Sequence, residues 1–181
     1  MREDNTLIRA VLIGDINRVL PLITPETINA KGKWGKTALQ NAVFFSDTPD
    51  IIVNTLLNRG ADVNALDDEG HNPLSDAGKG ARTINDIYAR RACQLIEKGA
   101  LWPNTDLGNS AWQKLPSPVQ QLFTEKLQAY QQQQEQIQAE EKTKAFGVLS
   151  NYARSLNTQS SNSSGLHHRN VVHSTELKTF N

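Results

Sequence analysis

Few residues in this sequence are able to carry covalent or metal chemistry: one cysteine, Cys93, and four histidines, His71, His167, His168 and His173. A lone thiol forms no internal disulfide, and with no CxxC pair or Cys/His framework it builds no zinc site. A nucleophile needs an adjacent base, yet Cys93 falls in a segment that reads as a buried helix, His71 falls at the tip of a turn, and no Ser/His/Asp set is evident. Gly78-Lys79-Gly80 lacks the spacing of a phosphate-cradling loop. His167, His168 and His173 lie in a stretch rich in Ser and Asn, where assembling a metal site would cost the entropy of ordering the chain. No catalytic, cofactor-binding or metal-ligating residue is therefore expected, and the chain reads as a non-enzyme that needs no cofactor.

What remains is the chemistry of recognition. Trp34 is surrounded by Lys31, Lys33 and Lys36. At an exposed turn a rigid aromatic loses little entropy on binding, so Trp34 is a candidate hot spot; the other reading is that it covers a neighbouring turn. Asp67, Asp68, Glu69 and His71 form a second cluster of opposite sign. A partner touching both clusters would carry charge of both signs, while a solvated loop is the simpler account of the carboxylates. Of Phe44 and Phe45, at least one is expected in the core, which leaves Phe45 as a candidate for an open face.

These residues must be positioned by elements that recur. Trp34-Gly35-Lys36-Thr37-Ala38-Leu39, Glu69-Gly70-His71-Asn72-Pro73-Leu74 and Leu107-Gly108-Asn109-Ser110-Ala111-Trp112 align, their glycines 35 and then 38 residues apart. Leu56-Leu57-Asn58-Arg59-Gly60-Ala61-Asp62-Val63-Asn64 is echoed by Leu95-Ile96-Glu97-Lys98-Gly99-Ala100. Each glycine permits the positive φ of a tight turn. Thr37, Asn72 and Ser110 then sit where a side-chain oxygen caps a helix, with Pro73 at a first helical position where its missing N–H costs nothing. Leu39, Ala42 and Val43 give the first helix a narrow apolar face. Pro49-Asp50 opens a second helix with Ile52, Val53, Leu56 and Leu57 at helical spacing, which Gly60 ends as a left-handed cap.

This pattern of turn, helix, turn and helix resembles the ankyrin repeat, whose period is roughly 33 residues. The resemblance implies an all-α solenoid of helix-turn-helix units with short β-hairpin connections over residues 1–130, in four units at 4–30, 31–65, 66–104 and 105–130. The first unit reads as an N-terminal cap, opened at Asn5 or Thr6 through Leu7, Ala10 and Val11 and restarted at Gly14-Asp15, with Pro21 predicting a kink or an early end. In the third, Gly78 to Arg82 reads as a mobile loop between helices. The fourth has Trp112 where the family has leucine, and its second helix carries Val119, Leu122, Phe123 and Leu127. Residues 131–156 read as a polar, then amphipathic, helical extension in which Phe146, Leu149, Tyr152 and Leu156 share one face. Residues 157–181, rich in Ser and Asn, read as a disordered tail.

The resemblance implies binding of a partner protein on the concave face made by turn tips and first helices, which makes Lys33, Trp34, Lys36, Phe45, Asp68, Glu69 and His71 the candidate partner-binding set. It also puts Gln40, Ser75 and Gln113 where the family carries a histidine that knits neighbouring repeats, which predicts a less stable array. Leu56, Asp62, Val63 and Asn64 look like the context in which an oxygenase hydroxylates ankyrin asparagines, although hairpin hydrogen bonding is the simpler role for Asn64. Short ankyrin arrays with polar tails resemble effectors that intracellular bacteria deliver into host cells, and that likeness implies host delivery with a C-terminal export signal. The alternative function is a scaffold whose helix from Phe146 to Leu156 docks into a partner or self-associates.

Composition narrows the classes further. Lys+Arg and Asp+Glu are 19 each, for a net charge of +0, so no chain-wide field favours nucleic acid. The first apolar stretch, Leu7 to Ile13, is broken by Arg9 and fits neither a signal peptide nor a membrane span. A cytoplasmic monomer with an unidentified protein partner and no membrane insertion is expected.

Overall fold

The computed structural model describes residues 6–167, with side chains described through residue 156. The protein is all-α. Its helices are α1 (Thr6–Ile13), α2 (Ile16–Val19), α3 (Ala38–Phe44), α4 (Asp50–Asn58), α5 (Pro73–Gly80), α6 (Ile87–Glu97), α7 (Asp106–Gln113) and α8 (Ser117–His167). The chain divides into two compact units, residues 1–132 and 133–181.

Local chemistry accounts for most helix ends in the first unit. Thr37 opens α3 with a reciprocal box, its hydroxyl accepting from the Gln40 N–H while Gln40 Oε1 accepts from the Thr37 N–H, and Asn72 and Ser75 do the same for α5. Such caps satisfy helix N–H groups that have no partner within the helix. Asp15 caps α2, which passes at Pro21 into a 3₁₀ turn over Leu20–Leu22, the early end that proline imposes. Asp86 caps α6 through the Ala89 N–H.

Consecutive helices pair as α1 with α2, α3 with α4 and α5 with α6, and the leading helices touch in a row, α1 to α3, α3 to α5 and α5 to α7. Leu7, Val11, Leu39, Ala42, Val43, Ile52, Leu56, Leu74, Leu95, Ile96, Val119 and Phe123 form one continuous core. Each large aliphatic side chain buried there contributes about 1.5–3 kcal/mol.

The structure departs from the sequence-based expectations at four places. The capping residue of α7 is Thr105, its hydroxyl accepting from the Gly108 N–H, and not Ser110, which lies inside the helix. Caps therefore recur 35 residues from Thr37 to Asn72 and 33 from Asn72 to Thr105, with Leu107 in the register of Leu39 and Leu74. Pro103 occupies the place of the turn glycine, so Gly108 served as a decoy. Gly78 and Gly80 belong to α5 instead of a mobile loop. They are close-approach glycines, since a Cβ would come within 2.7 Å of Trp102 at Gly78 and within 2.4 Å of Tyr88 at Gly80.

The short connections are not strands: among the described residues none is assigned. Each turn closes through one bond between its legs, Gly32 N–H to Lys36 O at 2.9 Å and Asp67 N–H to His71 O at 2.8 Å, and the legs are too short to extend a ladder. Finally, α8 runs past Leu156, where the extension was expected to end, to His167. Once a helix is nucleated each added residue gains a hydrogen bond without a new nucleation cost. Residues 168–181, the rest of the expected disordered tail, lie outside the described residues.

Candidate functional site

The site begins with the turn Lys33-Trp34-Gly35. Gly35 has φ 71°, as the turn requires, and Asp68 of the next turn packs so closely that a Cβ there would lie 2.3 Å from its Oδ1. Trp34 is less ordinary. It has φ 56° and ψ 22°, a left-handed backbone that bulky side chains rarely adopt, and its carbonyl accepts from the Asp68 N–H at 3.0 Å. Trp34 is 63% exposed, with Lys33 Nζ 4.2 Å from the ring centroid. A large apolar ring held in solvent on a strained backbone is an arrangement that packing alone does not reward.

Phe44 and Phe45 end α3 and stack edge to face at 5.2 Å, both more than a third exposed. Neither is in the core, although at least one was expected there. Lys36 Nζ lies 5.7 Å from the Phe44 ring, which ties this aromatic pair to the turn.

Lys36 itself is not a free cation. Its ammonium bonds Asp67 Oδ2 at 2.9 Å and Asp76 Oδ2 at 2.7 Å, and Lys79 Nζ bonds the other oxygen of Asp76 at 3.0 Å. Asp67 and Asp76 are buried. Burial would lower the Lys36 pKa, but the charges and hydrogen bonds of Asp76 and Asp67 outweigh it and raise it. Burial likewise works to raise the Asp67 pKa, while the Lys36 hydrogen bond and the His71 and Glu69 amides hold it below the usual carboxylate range. Lys36 and Asp67 thus neutralise each other across the two turns, while Lys33, Asp68 and Glu69 keep charge of both signs exposed.

His71 is also interior, 5% exposed, and not at an open tip. Its Nδ1 has no hydrogen bond and lies 3.7 Å from Asp67 Oδ1 and 3.5 Å from Glu69 Oε2. Glu69 and Asp68 are exposed, as are Lys33 and Trp34. Of the candidate set, Lys33, Trp34, Phe45, Asp68 and Glu69 face solvent, while Lys36 and His71 belong to the structure beneath them.

Sequence reasoning missed two residues that join successive turns and helices. Gln40 was read as the loss of a knitting histidine, yet its Nε2 donates to His71 O at 2.9 Å in the next turn, so a bond between units is made by an amide instead. Arg91, fully buried in α6, donates through Nε to Asp50 Oδ1 at 3.0 Å and through Nη1 to the carbonyls of Ala42, Val43 and Phe45, with Nη2 on Thr48 O. It thereby caps the C-terminal end of α3 with a cation. The available signal was its register four residues before Leu95, on the apolar side of α6. The Asn64 side chain bonds the following connection and not its own turn, donating to Gly99 O at 3.0 Å and accepting from Leu101 N–H at 2.9 Å.

Burial pushes the Cys93 thiol up, with Glu97 adding to the effect and Lys126 opposing it, so the reactive thiolate is disfavoured. Ser110 shares a cavity with His71 but makes no hydrogen bond to it. Among the described residues no group of three His, Cys, Asp or Glu is placed to hold a metal ion, and His168 and His173 lie outside them. No helix of the described residues is long and apolar enough to cross a membrane. No family model matches the chain, and no curated protein matches it.

Proposed function

We propose that this protein is an ankyrin-repeat interaction module that binds a partner protein through the face formed by its turns and leading helices. The repeat reading is supported by capped helices recurring at 35 and 33 residues, by the row of contacts from α1 to α7, and by side chains that bridge one turn to the next. The observation that carries the functional reading is Trp34, an exposed ring on a left-handed backbone beside Lys33, in a chain whose other large aromatic cluster, Trp102, Trp112 and Phe123, is packed. Rigid aromatics in such settings dominate binding energies.

The test is affinity capture from cell lysate with the intact protein, Trp34→Ala, and a truncation after Gln134. A partner retained by the truncation and lost with Trp34→Ala is expected. A partner retained by Trp34→Ala would remove the basis of the reading.

A second reading rests on α8, where Phe146, Leu149, Tyr152 and Leu156 are all about half exposed or more on one helical face. That face would dock into a partner or a second copy. Loss of capture, or of concentration-dependent sedimentation, only on truncation after Gln134 would favour it. The likeness to bacterial effectors adds host delivery as a proposal, tested by deleting residues 157–181 and following export.

A further inference from the structure

Between α5 and α7 lies a cavity of about 320 Å³ whose lining carries no carboxylate. Its polar lining includes His71, Lys79, Arg82, Lys114 and Ser110, and its apolar lining Leu107 and Leu115. The charges near it are unevenly compensated. Lys79 shares Asp76 with Lys36, whereas Arg82 and Lys114 have no carboxylate within ion-pair distance among the described residues. The nearest acid in sequence to Arg82, Asp86, is already occupied by the amides of Arg82, Thr83 and Ala89. His71 has Nδ1 sealed against Asp67 and Glu69, and Nε2 makes no hydrogen bond among the described residues. Leu107, in the register of the fully buried Leu39 and Leu74, is instead 48% exposed, leaving apolar surface beside the cations.

We propose that this cavity binds a small organic oxyanion, a carboxylate or phosphate monoester on a compact apolar body. Arg82 and Lys114 supply the charge, Ser110 a hydroxyl donor, and Leu107 and Leu115 the apolar wall. Charge-assisted bonds to oxyanions are the stronger class of hydrogen bond, and two cations without internal partners give such a ligand a gain that a neutral one lacks. Of the candidate partner-binding set only His71 lines this cavity, and the proposal rests on Arg82 and Lys114, so it does not depend on the protein-partner reading.

The probes are phenyl phosphate and benzoate, with phenol as the neutral analogue, titrated into the full chain and followed by amide chemical shifts and calorimetry. At least one anion is expected to shift the amides of Ala81, Leu107 and Ala111, with phenol inactive, and the tighter of the two identifies the head group. The double variant Arg82→Gln/Lys114→Gln should bind about tenfold more weakly or worse. Since neither side chain has an internal partner, its circular dichroism should match the parent. Ala111→Phe, which fills the cavity and keeps both charges, should abolish binding. The proposal is overturned if neither anion shifts these amides, if phenol binds as well as the anions, or if affinity survives both variants.

Discussion

Removing the charge of Arg91 is expected to cost more stability than any other single change on the protein's polar side chains. The guanidinium is fully buried, and its acceptors include the carbonyls of Ala42, Val43 and Thr48, all in buried bonds, with Phe45 O and Asp50 Oδ1 nearer to solvent. Ala42 and Val43 sit in the last turn of α3, where carbonyls lack partners within the helix. Arg91→Met keeps much of the apolar stem but orphans three buried acceptors at about 1–3 kcal/mol each. Water reaching part of the vacated space brings the expected loss to about 3–5 kcal/mol, the range for breaking a buried ionic arrangement by removing one partner. On a domain whose total stability is about 5–15 kcal/mol, that shifts the melting temperature by on the order of 10 °C. Arg91→Lys should fall between parent and Met variant, because an ammonium cannot span the same acceptors. Arg90→Met, one residue away and exposed, should stay within about 0.5 kcal/mol of parent. Urea denaturation of the four proteins measures all of this. If Arg91→Met lost under about 1 kcal/mol, or no more than Arg90→Met, the guanidinium would not be holding the end of α3.

Trp34→Asn should stabilise the protein by about 0.5 kcal/mol, because asparagine tolerates the left-handed backbone and the exposed Lys33 contact is worth little, while partner capture falls; a loss of stability in the melt would mean the ring packs. Gly108→Ala should destabilise by about 1 kcal/mol or more despite alanine's better helix propensity, since the new Cβ would lie 2.4 Å from the Pro103 carbonyl oxygen; an unchanged urea midpoint would show that the Pro103 backbone yields freely. Asp67 and Asp86 are both held below the usual carboxylate range, Asp86 by the Thr83, Ala89, Arg82 and Tyr88 amides acting against burial. Their contribution is present above the unfolded value near ~3.9 and lost as pH falls through the lower folded values, so melting temperature should drop below about pH 4, less steeply in Asp67→Asn. The raised Lys36 contributes at pH below the unfolded lysine value near ~10.4 and is lost only as pH rises through its higher folded value.

The helix starts at Thr37, Asn72 and Asp15 and the stop at Gly60 were legible because each is a bond between residues two to five apart, and such bonds depend on local order alone. The α7 cap was missed although its bond, Gly108 N–H to Thr105, is as local, because Gly108 mimicked the turn glycine; the misread polar residues have a different geometry. Lys36 reaches Asp67 and Asp76 across 31 and 40 residues, Gln40 reaches His71 across 31, and Arg91 reaches Ala42 across 49. Where helix pairs touch in a row, these side chains find their partners in the next pair, so burial at a turn tip is decided by residues 31 or more positions away. A lysine or histidine at such a tip therefore reads as exposed from its own neighbourhood. Trp34 escapes that rule because its exposure follows from the turn: two successive left-handed residues, Trp34 and Gly35, direct the ring outward before the next unit is reached. Lys36, Gln40 and Arg91, whose roles were misread, bridge one helix pair to the next, and Trp34, which stays at the surface, is the residue on which the proposed partner binding is to be tested.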